Sequence, residues 1–344
     1  MPLPSRLLRA ALVAALAAAS PLTVSCSSTD PEEPPALTDE QLLGVYLENA
    51  IRYLDLRELD RAEDQARRAL EIDPDNERFL LIYGSCRLLK GTAQDIQAAI
   101  ETFERIPEEK QRDYRVQMKW AAAVERKGVF YEEASRGVRD GSRATDAPNR
   151  GQRADELMAE AQGYWREAKG RFEESNELRS GEPETIGGLV RTTALLGETE
   201  ESIRYGRDLI DAIRASQRLV SIKLEDDSIT ADRETQLFAN RRSNRAYEVK
   251  ARLHIATLLR QEGRLAEAIE EFDEIIYLQP ELAEAHSLRA QLLYDLGEYV
   301  KARDSITRFI ELKARTAEFE DPSIRRAYDL QERCDQAIRS SGRG

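Results

Sequence analysis

Two histidines, His254 and His286, are the only ones among 344 residues. With three cysteines they are the side chains best suited to hold a metal or activate a nucleophile. Zinc needs His, Cys or carboxylate ligands at tight spacing. Neither histidine has a Cys or carboxylate placed that way. They stand 32 residues apart on helical segments, so neighbouring positions in space are open to them. Packing on a helix face is the simpler reading, and a metal pair the sharper one. The 64 Asp and Glu residues make paired carboxylates uninformative, since acid–base work needs one positioned pair with shifted pKa values. No glycine-rich phosphate loop and no G-x-S-x-G elbow occurs. Gly187 and Gly188 open a helical segment, where close packing explains them better than phosphate binding. The residues therefore predict a non-enzymatic protein with no cofactor, no metal and no small-molecule substrate.

Cys26 follows "MPLPSRLLRAALVAALAAASPLTVSC". Arg6 and Arg9 make a positive front, and Ala10 to Ala19 is an uninterrupted apolar run. The run is short of the ~20 residues that span a bilayer, so residues 1–25 read as a secretory signal peptide. Leu22-Thr23-Val24-Ser25-Cys26 resembles the bacterial lipobox, departing from it by Thr23 where leucine is usual. The resemblance implies that Cys26 is lipidated and becomes the mature N-terminus. Ordinary cleavage near Ala19 or Ser20 and an uncleaved anchor are the alternatives. Residues 26–41 then form a tether, with three prolines and five acids in 27–41. Ser27 after the cysteine, rather than Asp, favours the outer membrane in a two-membrane envelope, facing the periplasm.

Composition narrows the partners. The formal charge is −13, which argues against nucleic acid, since phosphate binding needs clustered Lys and Arg. It also argues against adhesion to anionic lipid by charge alone. Leu, Ala, Glu and Arg dominate, a helix-forming set.

From residue 42 the apolar spacing is helical almost throughout. "ARLHIATLLRQEGRLAEAIEEFDEIIYLQP" (251–280) holds two amphipathic helices about Gly263. The design returns 34 residues later: Gly263 becomes Gly297, Ala256 becomes Ala290, Ala268 becomes Ala302, and Phe272 becomes Ile306. Tyr46, Ala50, Tyr53, Ala62, Ala66, Ala69 and Pro74 repeat it near the start. Gly84, Gly91, Ala99 and Phe103 mark a second unit, with about three extra residues after Gly91. Trp120, Ala121 and Gly128 mark a third, and Val190, Gly197 and Ser202 a fourth. This pattern resembles the tetratricopeptide repeat. It departs where the family's first-helix Trp and Leu are replaced by Arg252 and Ile255, and by His286 and Arg289.

The resemblance implies an all-α solenoid of about six helix–turn–helix units. An N-terminal array spans 42–222, with a loop insertion at 136–153 that carries five arginines. A linker follows at 223–235. A C-terminal region, 236–340, holds the regular units 249–282 and 283–316 and a capping helix from about Pro322. Such a solenoid presents a concave groove of first helices, expected to be lined by Lys250, Leu253, Thr257, Arg260, Glu284, Ser287, Gln291 and Tyr294. A repeat contacts only its neighbours, so Cys86 and Cys334 are expected to be buried thiols too far apart to bond. The function implied is a lipid-anchored scaffold in the bacterial envelope that binds protein or peptide partners. A soluble periplasmic co-chaperone or assembly factor without the lipid is the alternative.

Overall fold

A computed structural model describes residues 37–144, 149–225, 230–315 and 321–341. Residues 1–36 lie outside them, and with them the expected signal peptide, Cys26 and most of the expected tether. The described residues fold into fourteen helices and no strand.

The helices are α1 (Asp39–Asp55), α2 (Leu59–Ile72), α3 (Glu77–Lys90), α4 (Ala93–Glu104), the single turn α5 (Glu108–Gln111), α6 (Tyr114–Asp140) and α7 (Arg150–Leu178). They continue as α8 (Pro183–Leu195), α9 (Thr199–Leu224), α10 (Ala231–Gln261), α11 (Leu265–Leu278), α12 (Ala283–Asp295), α13 (Tyr299–Ala314) and α14 (Pro322–Ser341). Apart from α5, each packs on the next, giving six antiparallel pairs and a final cover: α1/α2, α3/α4, α6/α7, α8/α9, α10/α11, α12/α13, then α14.

Local sequence sets the ends. The Thr38 hydroxyl accepts from the Gln41 amide at 3.3 Å while the Gln41 side chain accepts from Thr38 N–H at 2.9 Å, a capping box. Thr92, Asp113 and Asn149 cap α4, α6 and α7 in the same sense. Gly263 and Gly297 close first helices at φ 74° and 81°, a left-handed backbone that glycine adopts without Cβ strain.

The core is built from small residues facing large ones. Ala256, Ala268, Ala290 and Ala302, paired by the 34-residue shift, are all fully buried, and Phe272 and Ile306 fill the space beside them. The glycines go further: a Cβ at Gly188 would sit 2.3 Å from the Phe172 ring, and one at Gly128 2.5 Å from Trp165. Gly188 is thus a packing residue of the α7–α8 contact. Cys86 and Cys334 are buried free thiols, and burial pushes the Cys86 thiol up to about 12. Ala327, Leu330 and Cys334 turn the apolar face of α14 onto the last pair.

Three segments differ from the sequence reading. The expected loop insertion at 136–153 is half helix: 136–140 finish α6 and 150–153 begin α7. Both helices are consequently long, 27 and 29 residues. Val138, Ala154 and Leu157 form a small core between them with Tyr131 and Ala134, and the Ser135 hydroxyl donates to the Ala154 carbonyl at 2.6 Å. These few apolar residues suffice because the arginines pair off around them: Arg136 with Glu132 at 2.7 Å, Arg139 with Asp155 at 2.5 Å, Arg153 with Glu156 at 3.1 Å. The expected linker 223–235 likewise shrinks, since 223–224 end α9 and 231–235 begin α10. Val220 and Leu237 are buried, and Asn244 donates to the Ser216 hydroxyl across this second hairpin at 3.1 Å. The extra residues of the second unit follow α4 as α5, rather than Gly91.

Candidate functional site

In the N-terminal part of the array the first helices pack on one another: α1 on α3, α3 on α6, α6 on α8. No pair of second helices does so to that extent among the described residues. Closer spacing on one side bends a stack toward that side, so α1, α3, α6 and α8 line its inner face, and the repeat pattern predicts the same side for α10 and α12.

On α10 the expected groove residues share one stripe. Lys250, Thr257 and Arg260 are exposed and Leu253 is half-buried. The Lys250 ammonium stands 5.7 Å from the centre of the Tyr247 ring. The Thr257 hydroxyl donates back to the Leu253 carbonyl at 2.7 Å. On α12, Ser287 and Gln291 are half-buried, with Gln291 donating to Asp295 at 2.9 Å. The remaining two are engaged elsewhere. Glu284 accepts from Lys313 of α13 at 2.9 Å, which holds its carboxyl below the usual range. The Tyr294 ring lies 5.4 Å from Tyr299 and 5.1 Å from the Arg333 guanidinium of α14.

Sequence reasoning missed the polar contacts between first helices. Arg191 of α8 holds Glu125 of α6 with two bonds, 2.8 and 2.9 Å. Burial lowers the Arg191 pKa, but the Glu125 carboxylate outweighs it and the net shift is upward. Lys119 of α6 meets Glu184 of α8 at 2.6 Å. The partners are more than 60 residues apart in sequence, which hides them. The one visible signal is that Arg191 is the sole basic residue of α8.

The departure at Arg252 also has a structural reason. Its buried guanidinium contacts Glu271 at 2.6 Å, Glu274 at 3.1 Å and Glu248 at 3.3 Å, and Arg214 of α9 meets Glu248 at 2.9 Å. This ionic cluster ties α9, α10 and α11 where the family places an apolar side chain.

The two histidines make separate local bonds. His254 Nε2 lies 3.0 Å from the Ser202 hydroxyl, and burial lowers the His254 pKa. His286 Nε2 lies 3.0 Å from the Pro280 carbonyl. Among the described residues no group of three or more His, Cys, Asp or Glu is arranged to hold a metal. No described helix is long and apolar enough to cross a membrane.

Residues 47–114 and 253–315 match the family model described as tetratricopeptide repeat. Among solved structures, the apo form of RapI is 14% identical, with a TM-score of 0.51 over 87% of this chain and 72% of that one. That likeness shows the fold. MamA protein is 13% identical with a TM-score of 0.42, over 71% of this chain and 96% of that one. A thermophilic TPR protein of Thermus thermophilus is 16% identical with a TM-score of 0.40, over 75% and 100%. Comparison with curated protein sequences gives no match.

Proposed function

We propose that this chain, with tetratricopeptide repeats at 47–114 and 253–315, is a non-enzymatic scaffold of the bacterial envelope. It holds partner proteins in the concave face of its first helices and is tied to the membrane through a lipid on Cys26. The observation that carries the binding role is the stripe of α10 on which Lys250, Thr257 and Arg260 are exposed and Leu253 half-buried, a surface of mixed charge and apolar character. Open surface of that kind on stacked helix pairs takes up peptides and helices.

The anchoring role is supported by the sequence Leu22–Cys26 after a short apolar run, and by the acidic, proline-rich stretch that follows. Several acyl chains on one cysteine give stable attachment, because each buried CH₂ contributes ~0.8 kcal/mol. Two measurements test the parts separately. Mass spectrometry of the mature N-terminus is expected to find acylated Cys26, and Cys26→Ser is expected to leave the membrane fraction with its helical content unchanged. Purification from cross-linked membranes is expected to recover a protein partner. An unmodified N-terminus refutes the anchor, and recovery of no partner refutes the scaffold.

A further inference from the structure

The second half of α9 and the first half of α10 stand clear of the rest of the array. α9 packs on α8 and α10, and α10 on α9 and α11. Yet α8 and α11 have 13 and 14 residues against 26 and 31 in α9 and α10. The two long helices therefore run on as a bare hairpin. One side of it is marked by Arg214 and Arg252, which both reach Glu274 of α11, at 3.2 and 3.1 Å. Helical spacing carries that side outward. Arg218, Ile222 and Glu225 follow Arg214 on α9, and Arg245 and Phe238 precede Arg252 on α10, one every two turns. All five are exposed, Ile222 by 64% and Phe238 by 51%. Asn244 is bonded to Ser216 across the hairpin, so Ile222 and Phe238, equally far beyond that bond, stand level. Arg218, Glu225, Arg242 and Arg245 make no ion pair among the described residues.

We propose that this side of the hairpin binds a second copy of the same chain, the two hairpins lying face to face and antiparallel about a two-fold axis at the level of Ile222 and Phe238. On α9 the order outward is basic, apolar, acidic: Arg218, Ile222, Glu225. Turned end for end, that order is its own complement. Arg218 of each copy then meets Glu225 of the other, and Ile222 meets Ile222. The sequence of α10 repeats the arrangement, with Glu234 four residues before Phe238 and Arg242 four after it. A two-fold contact of this kind closes on itself and stops at a dimer. The side is about 20 Å long, at about 1.5 Å per residue, and two helices wide, or roughly 400 Å² per copy. That is about half of a standard interface, so the dimer is weak and reversible. An anionic bilayer fits this side less well, because Glu225 stands on it among the arginines. The contact uses neither the inner face nor Cys26.

The test is sedimentation equilibrium of the purified full chain. Monomer and dimer are expected to exchange with a Kd on the order of 50 μM. Ile222→Ser and Phe238→Ser are each expected to weaken association about tenfold, with far-UV circular dichroism unchanged because both side chains are exposed. Arg218→Glu and Glu225→Arg are each expected to weaken it about fivefold, since like charges then meet across the axis. An equimolar mixture of those two variants is expected to regain the parent's affinity, because every contact again joins opposite charges. In intact cells Ile222→Cys is expected to give a dimer with a short bis-maleimide, and the parent chain, whose Cys86 and Cys334 are buried, none. A chain that stays monomeric up to about 0.5 mM, association indifferent to Ile222→Ser and Phe238→Ser, or no recovery on mixing the charge variants overturns the proposal. Binding of a monomeric chain to phosphatidylglycerol vesicles, lost in Ile222→Ser, also overturns it and assigns the side to lipid.

Discussion

Gly188→Ala should destabilise the array although alanine is the better helix former. The added Cβ would lie 2.3 Å from two ring carbons of Phe172 and 2.7 Å from a third. Phe172 is 1% exposed, so the ring has no open side to move into. Overpacking of this kind costs about 1–3 kcal/mol. Alanine recovers about 0.8–1 kcal/mol of helix propensity. A 2.3 Å approach to two ring carbons places the cost in the upper part of the overpacking range, about 2–3 kcal/mol, so the net is a loss of about 1–2 kcal/mol, or roughly 2–6 °C in thermal midpoint for a chain of this size. Gly163 and Gly170, within α7, have nothing within 4 Å of an added Cβ. The same substitution there should stabilise by up to about 1 kcal/mol. The assay is thermal melting followed at 222 nm on the three variants side by side. A Gly188→Ala protein that melts at or above the parent, or Gly163→Ala and Gly170→Ala proteins that lose as much, would refute the packing argument.

Other perturbations separate the remaining parts of the account. Arg252→Met removes one of the two arginines that hold the buried Glu248, leaving Arg214 at 2.9 Å, and should cost about 2 kcal/mol, less than the roughly 3–5 kcal/mol of a fully unpaired buried charge, whereas the double variant Arg252→Met/Glu248→Leu should recover part of it; denaturant melts decide. Burial holds the His254 pKa below 6.5, so the folded state disfavours the proton that the unfolded chain accepts. Its contribution is therefore intact above the unfolded value and is lost as pH falls from 6.5 through the lowered folded value. Melting midpoints across that window should fall less steeply in His254→Gln. Cys86 and Cys334, buried and with raised pKa values, should resist iodoacetamide in the native protein and react fully in urea. Rapid native labelling at either position would contradict the packing of α3 or α14.

Much of the fold is legible because its packing rule repeats. The shift that carries Ala256 to Ala290 and Ala268 to Ala302 places four alanines at four buried contacts. What the pattern hid were the long hairpins. Residues 136–153 look like a loop because arginine and glycine dominate, yet Val138, Ala154 and Leu157 are enough to hold two helices together when ion pairs surround them. The stripe Lys250, Leu253, Thr257, Arg260 follows from helical spacing alone. The contacts of Arg191 with Glu125 and of Arg252 with Glu271 do not, because they join residues on different helices and depend on the angle at which those helices meet. Tyr294 and Glu284 share spacing with the groove stripe, but α14 and α13 supply them with partners that no periodicity announces.

The central claim is that partners occupy the inner face of the first helices. Site-specific photo-cross-linking tests it most directly, with the reactive residue placed either at Thr257 on the inner face of α10 or at Glu270 on the outer face of α11, both exposed. In intact cells the account predicts protein adducts from Thr257 and few or none from Glu270. Adducts from Glu270 alone, or equal yields from both, would contradict it.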